Sequence, residues 1–175
     1  MDSVNASPGA DLIDSVVGLT PATALYATRH GREKVASATQ GSYELFFDPA
    51  AGEPAIEERL LVAYYACVLS RAPGLGRHYR DALAHNNAGA GLADCVDRNQ
   101  PERIPSARLK ALLAFTRKLI EKPVEGDLAA VQALQAAGVS TPDIVALAQL
   151  IAFLSYQIRL AAGLQAMKAL ESHQP

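Results

Sequence analysis

At 175 residues the chain has the length of one ordinary domain, and it can bury a core without disulfide staples. Apolar residues make up 50% and charged residues 19%, below the roughly 25% charge usual for soluble proteins, so another copy of the chain is expected to cover part of the apolar surplus. A net charge of −2, a pI near 6.1 and the lack of any polybasic run argue against nucleic acid and anionic membrane as partners.

Residues 1–10 read as a flexible, acidic and polar arm without the pattern of a signal peptide, and residues 11–175 as one domain. Leu12–Val17 is a short amphipathic piece stopped by Gly18. Thr20-Pro21 reads as an N-cap with proline at the first helical position, opening two helical turns that end near His30-Gly31. A further helix is expected over Arg32–Phe47, ending before Asp48-Pro49. After a loop at 49–55, Ile56–Arg71 carries Ile56, Leu60, Ala63, Tyr64, Cys67 and Val68 at spacings of three and four, which predicts one buried face. Ala72-Pro73-Gly74 breaks that helix, and Leu75–His85 forms the next. Asn86–Gly91 reads as a loop, and Leu92–Arg98 as a short helix.

The C-terminal third is patterned most clearly. Pro105–Glu121 turns Leu109, Leu112, Leu113, Phe115 and Leu119 inward, and Asp127–Ala137 is closed by Gly138. Ser140-Thr141-Pro142-Asp143 starts a last helix that runs to about Leu170. Its apolar positions are Ile144, Leu147, Ala148, Ile151, Leu154, Ile158 and Ala162. The longest strongly apolar stretch, Ile144–Leu154, contains Gln149 and is too short to span a bilayer. No stretch alternates with period two, so the expected fold class is all-α, with about seven to eight helices.

Two cysteines, Cys67 and Cys95, give no disulfide framework, and a reducing cytoplasm is the expected compartment. His30, His85 and His173 lack metal-ligand spacing. There is no glycine-rich phosphate loop and no Gly-x-Ser-x-Gly elbow, so neither a metal nor a cofactor is expected.

Several segments together resemble one family. They are ATQGSYELFFDP, EERLLVAYYAC, LKALLAFTRKLIEKP and DLAAVQALQAAGVSTPDIVALAQLIAFLSYQIRLAAGL, the last ending in Arg159, Leu160, Ala161, Gly163 and Leu164. Their order and spacing resemble the carboxymuconolactone decarboxylase and alkylhydroperoxidase (AhpD-like) superfamily, in its peroxidase-related branch, over most of residues 12–165. The resemblance implies an AhpD-like helical bundle that assembles as a homo-oligomer. In members that reduce hydroperoxides it also implies a glutamate, a Cys-x-x-Cys pair and a histidine. A thiolate attacks the peroxide, a second cysteine resolves the sulfenate, and the histidine and glutamate move protons.

This chain departs at the centre of that pattern. Aligned on His78, the cysteine positions fall at Arg71 and Gly74; counted from Glu58, they fall at Ser70 and Pro73. The scaffold is therefore implied without dithiol peroxidase chemistry. His78 and Glu58 are the surviving polar pair, with His78 as candidate acid/base and Glu58 as its orienter. In a plain helical hairpin His78 lies opposite Val68, about 15 Å from Glu58, and Tyr65 is a nearer third member. Cys67 reads first as a buried hydrophobe and second as a lone peroxidatic or sensing thiol, with Arg71 the one cation at helical spacing. Cys95 sits between Asp94 and Asp97, which disfavour a thiolate. Arg71 and Arg159 are candidate pocket or interface residues.

Three functions follow from these readings. One is proton transfer on a small organic acid or lactone in a retained pocket. Another is a non-catalytic structural or regulatory subunit pairing with a relative that keeps Cys-x-x-Cys. The third is residual antioxidant action through Cys67 alone.

Overall fold

Nine α-helices and two 3-10 turns, Pro101–Arg103 and Pro123–Glu125, form the secondary structure of residues 10–86 and 90–171, which a computed structural model describes. The helices are α1 (Leu12–Val17), α2 (Ala24–His30), α3 (Glu33–Phe46), α4 (Ile56–Leu69), α5 (Pro73–His85), α6 (Ala90–Asp97), α7 (Ala107–Glu121), α8 (Leu128–Ala136) and α9 (Thr141–Glu171). No strand occurs among the described residues, so the fold is the all-α bundle expected from the sequence. The expected arm at residues 1–10 lies outside the described residues, apart from Ala10.

Helix α4 is the axle of the bundle. It packs against α5, α6, α7 and α9, and every residue from Arg59 to Cys67 is buried. One buried face was expected; the helix is instead enclosed on nearly all sides, as its continuous apolar run Leu60–Cys67 requires. Val68, assigned to that buried face, stands 36% exposed at the mouth of a cleft.

Most helix ends follow from local chemistry. Asp11, Ser106 and Asp127 accept hydrogen bonds from backbone N–H groups in the first turns of α1, α7 and α8. The N-cap of α2 is Thr23, not Thr20. The Thr20 carbonyl accepts from both the N–H and the hydroxyl of Thr23 at 2.8 Å, closing a turn that leaves Thr23 extended and able to cap Tyr26.

Helix α9 has 31 residues and ends at Glu171, close to the Leu170 expected from its pattern. By length and composition alone it could cross a membrane; 44% of its most apolar window is buried, and it packs against α1, α2, α3, α4, α7 and α8 as a core helix does. Its inward face shifts by one residue near the end, where Ala161 is buried and Ala162 exposed.

Three cations fasten the first helices. The Arg59 guanidinium donates to the carbonyls of Phe46 (2.7 Å) and Asp48 (3.1 Å), satisfying one acceptor in the last turn of α3 and one just past it. Arg29 pairs with Asp11 and Asp14 at 2.9 and 2.8 Å. Near the end of α9, Lys168 donates to the carbonyls of Val17 and Gly18 at 2.9 and 2.8 Å.

Candidate functional site

The α4–α5 junction, where the family pattern would place its dithiol, borders an open cleft of about 560 Å³. Tyr64, Cys67 and Val68 of α4 line one side, the turn Arg71-Ala72-Pro73 lines the end, and Gly76, Arg77 and Arg80 of α5 line the other. The turn is a left-handed helix ending. The Ala72 N–H bonds back to the Cys67 carbonyl at 2.9 Å and the Arg71 N–H to Val68 at 3.1 Å, with Arg71 at φ +54°. This position normally belongs to glycine, because a Cβ crowds the left-handed conformation. Elsewhere the chain obeys that rule, with Gly18 at φ +70° after α1, Gly138 at +81° after α8, and the tolerated substitute Asn99 at +53° after α6.

The cleft carries an uneven charge. Arg71 and Arg77 are exposed and make no ion pair among the described residues. Arg80 pairs with Asp97 at 2.9 Å, and Asp97 also accepts the Tyr64 hydroxyl. Burial, reinforced by Asp97, pushes the Tyr64 phenol up to about 12. Cys67 is 1% exposed, and burial pushes its thiol up to about 12, so it stays protonated at neutral pH. No second sulfur is near in sequence, and position 74 has no room for one. A Cβ on Gly74 would sit 2.8 Å from the Val16 Cγ1 of α1.

The other residues singled out in the sequence fall into separate places. The His78 Nε2 lies 2.8 Å from the Tyr43 hydroxyl of α3, and its ring packs between Tyr43 and Tyr79 rather than lining the cleft. Burial lowers the His78 pKa, with Asp81 opposing, so the imidazole is neutral at neutral pH. Glu58 is held instead by Arg108 of α7 through a two-pronged pair at 2.8 and 3.1 Å. The same guanidinium reaches Asp143 at 3.4 Å and donates to the Gly138 carbonyl at 3.0 Å. Glu58 and His78 therefore have different partners and no hydrogen bond between them. Tyr65 faces α7, away from both. Its ring lies under the Arg117 guanidinium, 5.5 Å from carbon to centroid. Arg159 is exposed on α9. Cys95 is partly buried and free, and His173 lies outside the described residues.

Sequence reasoning singled out Arg71 but not Arg77, Arg80, Tyr43 or Arg108. For the first two the signal was present: three arginines within ten residues, two of them one helical turn apart. Arg108 lies fifty residues from Glu58, and no local pattern announces that pairing. No cluster of metal-ligating side chains occurs among the described residues. Compared with models of known protein families and with curated proteins, the chain matches none of them.

Proposed function

We propose that the chain is an AhpD-like, peroxidase-related protein that has no dithiol peroxidase activity and binds a small organic acid in the α4–α5 cleft. Arg71 carries this reading. It keeps a charged side chain in a left-handed position that glycine would occupy at lower cost, and that side chain borders an apolar cleft beside a second unpaired arginine. Strain retained at a cleft is a reason to look for function there. Guanidinium groups match carboxylates in shape and charge, and the apolar floor of Cys67, Val68 and Ala72 suits a hydrocarbon body.

The cleft has no group poised to exchange a proton near neutral pH, because both Tyr64 and Cys67 titrate at about 12. The reading there is binding rather than turnover. Proton transfer on a lactone or acid is a second reading, favoured by the neutral His78 bonded to Tyr43, whose ring also lines an open trough with Phe47 and Asp48.

The test is a calorimetric titration with benzoate. The wild type should bind, and the double variant Arg71→Ala/Arg77→Ala should bind at least about tenfold more weakly, since each charged hydrogen bond contributes roughly 1.5–3 kcal/mol. Equal affinity in the two proteins would refute the cleft. In parallel, native Cys67 should resist alkylation, and cumene hydroperoxide with dithiothreitol should be consumed no faster than in buffer. Enzymatic consumption that trapped Cys67 as a sulfenate would overturn the non-peroxidase reading.

A further inference from the structure

About a quarter-turn around α4 from Tyr64, a smaller cavity of about 200 Å³ opens against α7. Tyr65, Pro101, Glu102, Lys110, Ala114 and Arg117 line it. Two of these carry buried polar atoms with no hydrogen-bond partner, the Tyr65 hydroxyl and the Arg117 Nε. Tyr65 is 1% exposed, so bulk water does not reach its hydroxyl freely. Buried polar groups are nearly always paired, and leaving one unpaired is costly. Here two such groups border the same space.

The side chains are held in place. Arg117 donates from Nη2 to the Asn99 side-chain oxygen at 2.7 Å, and Asn99 ends α6 in a left-handed turn. The guanidinium also lies over the Tyr65 ring. Burial raises the Tyr65 phenol above its ordinary value, with Arg117 opposing, so at neutral pH the hydroxyl keeps its proton and can donate it. The two unpaired groups, an O–H and a guanidinium N–H, can both donate, and the exposed Lys110 ammonium adds a third donor at the rim. Glu102 is the one carboxylate of the lining, and neither unpaired atom is hydrogen-bonded to it.

We propose that this cavity binds a small aliphatic monocarboxylate, its oxygens held by Tyr65, Arg117 and Lys110 and its chain set against Pro101 and Ala114. Glu102 at the same cavity offsets one of the two cations, which favours a single negative charge over a dianion. The volume lies below the roughly 300 Å³ of typical drug-sized sites, which restricts the guest to a few carbon atoms. The site is distinct from the arginine-lined cleft and does not depend on the reading given to that cleft.

Propionate is the probe, read by the ring-carbon NMR signals of protein labelled at tyrosine. Propionate should move the Tyr65 signal saturably. Tyr65→Phe removes the unpaired hydroxyl without changing packing, so the variant should fold and, without propionate, melt no lower than wild type. Its propionate affinity, read by calorimetry because the variant lacks the labelled ring, should fall at least about tenfold below that of wild type, and Arg117→Gln should abolish binding. Arg71→Ala/Arg77→Ala should leave the Tyr65 response intact. No saturable shift would mean that water alone fills the cavity, and the proposal would fail. It would fail equally if Tyr65→Phe bound propionate as tightly as wild type, or if the cleft variant lost the Tyr65 response.

Discussion

The α4–α5 and α8–α9 junctions solve the same geometric problem with opposite uses of arginine. Both helices end in a left-handed turn that folds the chain back. At α8–α9 the turn residue is Gly138, and an arginine from elsewhere, Arg108, reaches its carbonyl while also clasping Glu58 and Asp143. At α4–α5 the turn residue is itself an arginine, and neither it nor Arg77 finds a carboxylate among the described residues. One junction spends its cation on holding helices together. The other leaves its cations facing a cleft.

The largest expected effect breaks the first junction. Arg108→Ala leaves the mostly buried Glu58 carboxylate without its counter-ion and should destabilise the protein by about 2–3 kcal/mol in chemical unfolding. A change under about 0.5 kcal/mol would mean that the clasp is ornamental.

Next come two substitutions that exchange the turn residues. Gly138→Ala has open space for its Cβ but a φ of +81°, so it should cost about 1 kcal/mol from backbone strain alone. Arg71→Gly should do the reverse and stabilise by up to about 1 kcal/mol while weakening benzoate binding. If Arg71→Gly destabilised the fold, Arg71 would belong with Arg108 as a structural cation, and the contrast between the junctions would disappear.

The smallest effect concerns pH. The native pKa of His78 lies below its ordinary value, chiefly from burial against Tyr43 and Tyr79, with Asp81 opposing. Below about pH 6.5 the unfolded chain takes up a proton that the native chain resists. The stability associated with neutral His78 is therefore complete above that pH, declines as pH falls toward the native pKa, and then levels off. His78→Gln should flatten this part of the stability profile, and an unchanged slope would show that other groups set it.

The sequence placed the helices well because their ends are local events. Gly18, Gly138 and the Ser140–Asp143 start signal each act within one turn. Thr20 misled because its carbonyl, rather than its side chain, is what shapes the next turn. The α4–α5 junction could be located from helix-breaking residues, and the sequence itself shows that no cysteine stands at positions 70–74. The partners of Glu58 and His78 could not be read, because Arg108 and Tyr43 arrive from helices fifty and thirty-five positions away. The enclosure of α4 was hidden for a related reason: a run such as LLVAYYAC is apolar on every side, and only its neighbours decide how many of those sides are covered.

The Lys168 bonds to Val17 and Gly18 have a topological consequence. They lash the far end of the longest helix to the close of the first, so residues near both ends of the described chain lie side by side. A short bridge between them would convert the chain into a near-closed ring. New ends could then be opened in an exposed loop, such as that around Gly52, giving a circular permutant that keeps the same packing around α4.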